Sequence, residues 1–201
     1  MRWLLIVLML ATPAFADETH RPDGTNASDS GTTCDASVHA SLDEDPDTPA
    51  GNCGVGGSGT DCCRADNNNT SWSFMVTMGD PTETLTDGAD LQEIRIYTES
   101  FDEGQAGDPT IQILVYDTTT VACDTVHFTG TITTLTDAGY PAILAETWDS
   151  TGLSSANDVC IQIVCTKVGG GGGTRNSCDI DAIEWNATST AGGGGRTRRM
   201  F

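Results

Sequence analysis

Apolar and polar residues alternate along much of the middle of the chain. In Ser71–Met78 (SWSFMVTM), every second side chain is large and apolar, which is typical of a β-strand with one buried face. The segments 91–98, 110–116, 125–134, 142–147, 159–168 and 177–188 follow the same alternation or are rich in β-branched residues, and they predict further strands. No stretch shows a sustained helical period.

Turn signals separate these segments. They include Gly79-Asp80-Pro81, Asp87-Gly88 and a run of five glycines at 169–173. Seven or eight short strands joined by such turns predict an all-β fold, namely an antiparallel β-sandwich of jelly-roll type.

The two ends of the chain differ from this body. Arg2, an apolar run over 3–11 and the small-x-small triplet at 14–16 predict a secretory signal peptide of residues 1–16. Polar, turn-rich residues 17–32 predict a disordered lead, and the β-sandwich domain is expected over 33–190. Residues 191–201 (AGGGGRTRRMF) predict a flexible Gly/Arg-rich tail. The protein is therefore expected to be secreted, with no membrane span.

An even number of cysteines in an exported chain predicts disulfides. The eight cysteines are Cys34, Cys53, Cys62, Cys63, Cys123, Cys160, Cys165 and Cys178. Cys160 and Cys165 are five positions apart on a predicted strand, so they face opposite sides of the sheet and do not bond each other. The adjacent Cys62 and Cys63 are expected to take different partners. If bonds stay within the first four and within the last four cysteines, nine pairings remain open.

The charge of the chain excludes one class of partner. With 29 acidic and 9 basic residues the net charge is −20, and no basic face is available to displace counterions from nucleic acid. Dense carboxylates with a single lysine suit a protein that stays hydrated at high salt.

Candidate catalytic residues are few. The three histidines (His20, His39 and His127) are expected to be solvated, with His127 pointing away from the face shared by Val126 and Phe128. The sequence at 54–59 (GVGGSG) fits G-x-G-x-x-G, but cysteines flank it where a nucleotide site needs a strand and a helix. The sequence therefore predicts a protein that is not an enzyme.

Carboxylates at every second position suggest a calcium loop. Asp43, Asp45 and Asp47 have this spacing, although Thr48 and Gly54 stand where an EF-hand needs glycine and glutamate. An irregular calcium site is therefore expected, in which this loop meets Asp179, Asp181 or Glu184 on the last strand. The alternative is a solvated acidic loop.

Exposed aromatic rings would offer a stacking surface for sugars. Trp72 and Trp185 share their strand faces with apolar residues and are expected in the core. Tyr97 and Tyr116 have polar neighbours on the same face, so they are the expected exposed rings and the candidate ligand-binding residues.

The body also resembles known families. The stretches SLDEDPDTP, SWSFMVTM, LQEIRIYTES, DPTIQILVYD and DIDAIEWNAT resemble, over about residues 36–188, a poorly characterised family of bacteriophage virion and bacterial surface proteins that forms a jelly-roll module. The closing strand is similar to that of carbohydrate-binding modules with the galactose-binding-like fold. That resemblance implies that an acid in the position of Asp181 helps to hold a structural calcium. The cysteines and the signal peptide depart from both groups and favour an extracellular protein.

These observations predict a non-catalytic secreted module for recognition or adhesion at a cell surface or in an extracellular matrix. Its expected partner is a glycan or a surface protein. The alternative is a structural subunit of an extracellular filament or virion appendage, whose partners are copies of itself.

Overall fold

The computed structural model describes residues 15–28, 32–34, 38–42, 63–65, 71–82, 84–86, 92–101, 107–136, 142–154, 159–168 and 177–190. In these ranges the chain forms twelve β-strands and one short 3-10 turn, His39–Ser41. The strands are β1 (Phe15–His20), β2 (Pro22–Ser28), β3 (Thr32–Cys34), β4 (Cys63–Ala65), β5 (Ser71–Met78), β6 (Gln92–Phe101), β7 (Thr110–Asp117), β8 (Thr125–Thr129), β9 (Thr133–Thr134), β10 (Ala142–Trp148), β11 (Cys160–Thr166) and β12 (Ser177–Thr190).

The strands form two six-stranded antiparallel sheets. Sheet A has the order β10-β6-β12-β4-β3, and β1 pairs with β12. Sheet B has the order β2-β5-β11-β7-β8, and β9 pairs with β7. Almost every neighbour within a sheet is distant in sequence, because the chain repeatedly crosses between the sheets. The predicted all-β sandwich of jelly-roll type is confirmed.

The core lies between the sheets and follows the predicted alternation. On β5, the even-numbered positions from Trp72 to Met78 face inwards and are at most 2% exposed. Ile111, Ile113 and Val115 on β7 are fully buried in the same way. Burial of one such large apolar side chain contributes about 1.5–3 kcal/mol. Trp72 and Trp185 lie in the core as expected, at 1% and 0% exposure.

Two irregularities interrupt the regular pairing. The predicted strand 125–134 is divided into β8 and β9 at Gly130, whose backbone N–H donates to the carbonyl of Ile113 at 2.8 Å. A Cβ atom at position 130 would lie 2.9 Å from that carbonyl oxygen, so this close approach favours glycine. The other irregularity is a register shift between Ile180 and Ala182 on β12, where Asp181 is the extra residue.

Three disulfides connect described strands and turns. Cys34–Cys63 joins β3 to β4, Cys123–Cys160 joins the β7–β8 turn to β11, and Cys165–Cys178 joins the two sheets. All three stay within the first four or the last four cysteines, as assumed. Cys160 lies on the outer face of β11 and Cys165 lies in the core, as their spacing predicted. Cys53 and Cys62 lie outside the described residues.

The expectation of a disordered lead over 17–32 is wrong. Strand β1 pairs with the end of β12, and β2 pairs with β5, so residues 15–28 belong to the sandwich although its expected start was residue 33. The mostly polar sequence did not predict these strands. Strands β1 and β2 each pair with a single neighbour, so they join the sheets through backbone hydrogen bonds and need no apolar alternation. The signal peptide of residues 1–16 and the tail of residues 191–201 stay predictions. Cleavage after Ala16 would remove the first two residues of β1.

Within the described residues, no helix is long and apolar enough to cross a membrane.

Candidate functional site

The outer face of sheet A has a buried centre and a more exposed margin, where Ile143 is 57% exposed. On its two central strands, Tyr97 is 8% exposed, Glu184 is 7% exposed, and Asp179 is 0% exposed. The Tyr97 hydroxyl donates to Oε2 of Glu184 at 3.1 Å. The expectation that Tyr97 is an exposed ring is therefore wrong. Alternation placed it on the outer face correctly, but alternation carries no information about whether that face is covered.

Charged groups compensate one another on this face. Arg21 donates to Oε1 of Glu184 at 3.3 Å, so both oxygens of that carboxylate have partners. Burial, together with the nearby charge of Glu184, raises the pKa of Tyr97. Arg95 forms an ion pair with Glu93, and this hydrogen bond raises the pKa of Arg95. The arrangement satisfies the polar atoms of Tyr97 and Glu184, so the Tyr97 ring is not free to stack on a ligand.

The outer face of sheet B is accessible. Its central strands β5, β11 and β7 present twelve outward positions, of which ten are exposed or half-buried. These positions are Ser71, Ser73, Met75 and Thr77 on β5, Cys160, Gln162, Val164 and Thr166 on β11, and Thr110, Gln112, Leu114 and Tyr116 on β7. We call this surface the β5–β11–β7 face. None of its side chains is charged.

Tyr116 is held in place on this face. Its half-buried ring packs against a small apolar cluster of Met75 and the Cys123–Cys160 disulfide. Its hydroxyl donates to Oε1 of Gln162 at 2.9 Å, and Nε2 of Gln162 lies 3.4 Å from the Ser73 hydroxyl. The ring is thus supported on one side and fixed at its tip, which reduces the entropy lost when a ligand stacks on it.

Hydrogen-bonding side chains continue from the ring across the face. Gln162 lies on the central strand between Tyr116 and Ser73, and Gln112 donates to the carbonyl of Gly130 at 2.9 Å. Each amide and hydroxyl here has both donor and acceptor capacity. Sequence reasoning missed Gln162, Ser73 and Met75 as members of the site. The signal was present, since Gln162 stands between two core isoleucines and must therefore face outwards.

The β7–β8 turn supports one end of the face. The Asp124 carboxylate accepts hydrogen bonds from the backbone N–H and the hydroxyl of both Thr119 and Thr120. These donors, led by the Thr120 hydroxyl, hold the pKa of Asp124 well below its usual range. Cys123 adopts a positive φ of 58° within this turn, which places its sulfur over β11.

The expected calcium ligands are only partly described. Asp43, Asp45 and Asp47 lie outside the described residues. Asp181 is 2% exposed at the β12 bulge, two residues before Ile183, whose N–H donates to the carbonyl of Leu42 at 3.3 Å. Among the residues that the structure describes, no group of three or more potential ligands is found. The calcium site therefore stays a prediction.

Two of the histidines are packed rather than solvated. His20 packs against Trp185, with ring centroids 5.3 Å apart, and His127 packs edge-on against Trp148 at 5.5 Å. The expectation for His127 is wrong because Val126 and Phe128 do not share a face. A register shift in the β7–β8 pairing places Val126 opposite Tyr116 and Phe128 opposite Val115. The side chain of His39 is not among those described.

No protein-family model and no curated protein matches the sequence. Among solved structures, a chain described as a xylan-binding module CBM15 is similar, with 14% sequence identity and a TM-score of 0.45 over 90% of this chain and 100% of that chain. The expected relation to bacteriophage virion and bacterial surface proteins stays a prediction. The function proposed below rests on the residues of this chain.

Proposed function

We propose that the protein is a non-catalytic extracellular module that binds carbohydrate on the β5–β11–β7 face. The observation that carries this proposal is the Tyr116 ring, which is half-buried, supported by a disulfide and held by Gln162. An aromatic ring with amide and hydroxyl groups beside it matches the two chemistries of a sugar, whose C–H surfaces stack on rings and whose hydroxyls need donors and acceptors.

The same face supports a binding role rather than catalysis. Glycoside hydrolysis needs two carboxyl groups, and general acid–base chemistry needs a titratable side chain within reach of the bond. The outward positions of β5, β11 and β7 hold no carboxyl group and no histidine. The described disulfides support an extracellular location, because such bonds persist in oxidising compartments. Recognition or adhesion at a cell surface or in a matrix is the role that we propose for such a module.

The test is a glycan microarray of immobilised polysaccharides, followed by calorimetry with oligosaccharides from the polymers that bind. We expect Tyr116→Ala to weaken binding at least tenfold, because it removes the stacking ring. Tyr116→Phe keeps the ring and loses only the hydrogen bond to Gln162, so a smaller, several-fold loss is expected.

Tyr97 supplies a matched control. Tyr97→Phe removes a hydroxyl at a buried position on the outer face of sheet A, so we expect lower thermal stability and unchanged binding. Thermal melts of all three variants separate folding defects from binding defects. Absence of binding to every glycan, or binding that Tyr116→Ala leaves unchanged, would contradict the proposal.

A further inference from the structure

The β5–β11–β7 face differs in charge from the rest of the molecule. The chain carries a net charge of −20, with 29 acidic and 9 basic residues. None of those 38 charged side chains stands at an outward position of the three central strands of sheet B. By contrast, the outer face of sheet A carries Glu93, Arg95 and Glu184, and Arg21 forms an ion pair with Glu184 there. An accessible uncharged face on so acidic a chain offers no counter-charge to a charged ligand.

Carboxylates stand at the rim of this face. Asp23 on β2 accepts a hydrogen bond from the hydroxyl of Thr77 at 2.9 Å. At the opposite edge, the exposed Asp124 carboxylate lies in the β7–β8 turn and accepts a hydrogen bond from the Thr120 hydroxyl. The Debye length is about 8 Å at physiological salt, so these rim charges and the net charge repel an approaching polyanion at close range.

The dimensions of the face favour a chain over a single sugar. The outward positions from Cys160 to Thr166 on β11 cover six residue steps, which is about 20 Å at 3.3 Å per residue, and three strands span about 10 Å. The apolar positions Met75, Leu114 and Val164 alternate with Ser73, Gln112 and Gln162 over this area. Apolar and hydrogen-bonding positions thus alternate over a length that exceeds one pyranose ring.

From these observations we infer that the ligand is an uncharged polysaccharide chain, and that the site discriminates against glycans bearing uronate or sulfate groups. This inference rests on the proposed function and narrows it. An uncharged chain loses no charge solvation on docking, whereas a polyanion would have to give up water and counterions with no cation on the face to replace them. Discrimination of this kind comes from repulsion as much as from attraction.

The experiment compares neutral and anionic polymers on the full chain. Neutral probes are mixed-linkage β-glucan, galactomannan and arabinoxylan, and anionic probes are polygalacturonate and a sulfated galactan, all measured at 0.05 M and 0.5 M NaCl. We expect at least one neutral polymer to bind with little dependence on salt, longer oligosaccharides to bind more tightly than monosaccharides, and the anionic polymers not to bind at low salt.

Charge variants test the face itself. Val164 is outward and half-buried at the centre of the face, opposite Ser73 and Gln112. Val164→Glu is expected to weaken neutral-glycan binding at least tenfold, because the carboxylate would lose water under the ligand. Val164→Thr adds a hydroxyl without charge and is expected to stay within about threefold, since one exposed hydroxyl is a small change. Ile143→Glu places the same charge on the outer face of sheet A, where Ile143 is 57% exposed, and should leave affinity unchanged.

The outcomes separate the two proposals. Anionic polymers that bind as tightly as neutral ones, through a site sensitive to Tyr116→Ala, would overturn the inference and leave carbohydrate binding intact. No binding to either class would overturn both. Sedimentation that shows a dimer of the chain, lost in Val164→Glu, would show that this face pairs with a second copy and would also overturn both.

Discussion

At the scale of the residue, two tyrosines with the same local pattern have opposite environments. Tyr97 and Tyr116 both face outwards between core positions, yet Tyr97 is 8% exposed and bonded to Glu184, whereas Tyr116 is half-buried on an open face. The difference comes from the side chains beside each ring, such as Glu184 of β12 next to Tyr97, and these belong to parts of the chain distant from either tyrosine. The position of a residue along its strand therefore decides which face of the sheet its side chain lies on. The burial of that side chain decides whether a ligand can reach it.

His20 gives a pH-dependent contribution to stability. Burial lowers its pKa in the folded protein, although Glu18, whose carboxylate lies 3.3 Å away, and Asp80 act in the opposite direction. A base with a lowered pKa binds fewer protons in the folded state than in the unfolded state, so stability rises with pH. We expect the free energy of unfolding to fall between about pH 7 and about pH 5.

Urea unfolding at both pH values, in the wild type and in His20→Gln, measures this contribution. The loss on acidification should be smaller in His20→Gln, because glutamine does not titrate. Hydrogen bonds from Thr82 lower the pKa of Glu18. The stability that the Glu18 carboxylate contributes is therefore lost below about pH 5, outside the range compared here. Equal losses in both proteins would show that His20 does not contribute.

At the scale of the element, the sandwich is held by its core and by covalent links between strands. Cys165 and Cys178 are both fully buried, and their disulfide joins β11 of sheet B to β12 of sheet A. The other two described disulfides lie elsewhere, between β3 and β4 and on the outer face of sheet B. Only Cys165–Cys178 therefore constrains the separation of the two sheets among the described bonds.

Removal of this link is expected to be costly. Cys165→Ala with Cys178→Ala frees a segment with a sequence separation of 13 residues, and the entropy gained by the unfolded chain corresponds to about 3 kcal/mol of stability. Urea unfolding of the double variant beside the wild type measures this loss. The Cys34→Ala with Cys63→Ala variant, whose bond lies within one sheet, is the comparison. A loss below about 1 kcal/mol in the inter-sheet variant would contradict the prediction.

At the scale of the whole molecule, the net charge of −20 opposes folding, since compaction brings like charges together. We expect NaCl to raise the melting temperature between low and moderate concentration, because salt screens this repulsion.

A calcium salt at matched ionic strength tests the predicted site of Asp43, Asp45, Asp47 and Asp181. Melting temperatures that exceed those in NaCl, and that Asp181→Asn returns to the NaCl value, are expected. Equal temperatures in both salts would contradict the calcium site.

Strand positions were predictable because they depend on local alternation. Ser71–Met78 was predicted with the bounds that the structure has, since the four apolar residues from Trp72 to Met78 at even-numbered positions all lie on one face. Strands β1 and β2 were not predictable, because they are polar and form only where β12 and β5 offer free edges. The break between β8 and β9 at Gly130 was also not predictable from the local sequence, since it depends on a hydrogen bond to the Ile113 carbonyl of β7.

The sequence by itself determined the all-β class, the core face of each main strand, the separation of Cys160 from Cys165 and the strongly acidic character of the chain. These properties follow from side-chain periodicity and composition, which are local. Only the tertiary structure decided which tyrosine is accessible, which cysteines are joined, and that three strands distant in sequence present one uncharged face. Those properties depend on strand order and register, and both are set by contacts between segments that the linear pattern does not relate.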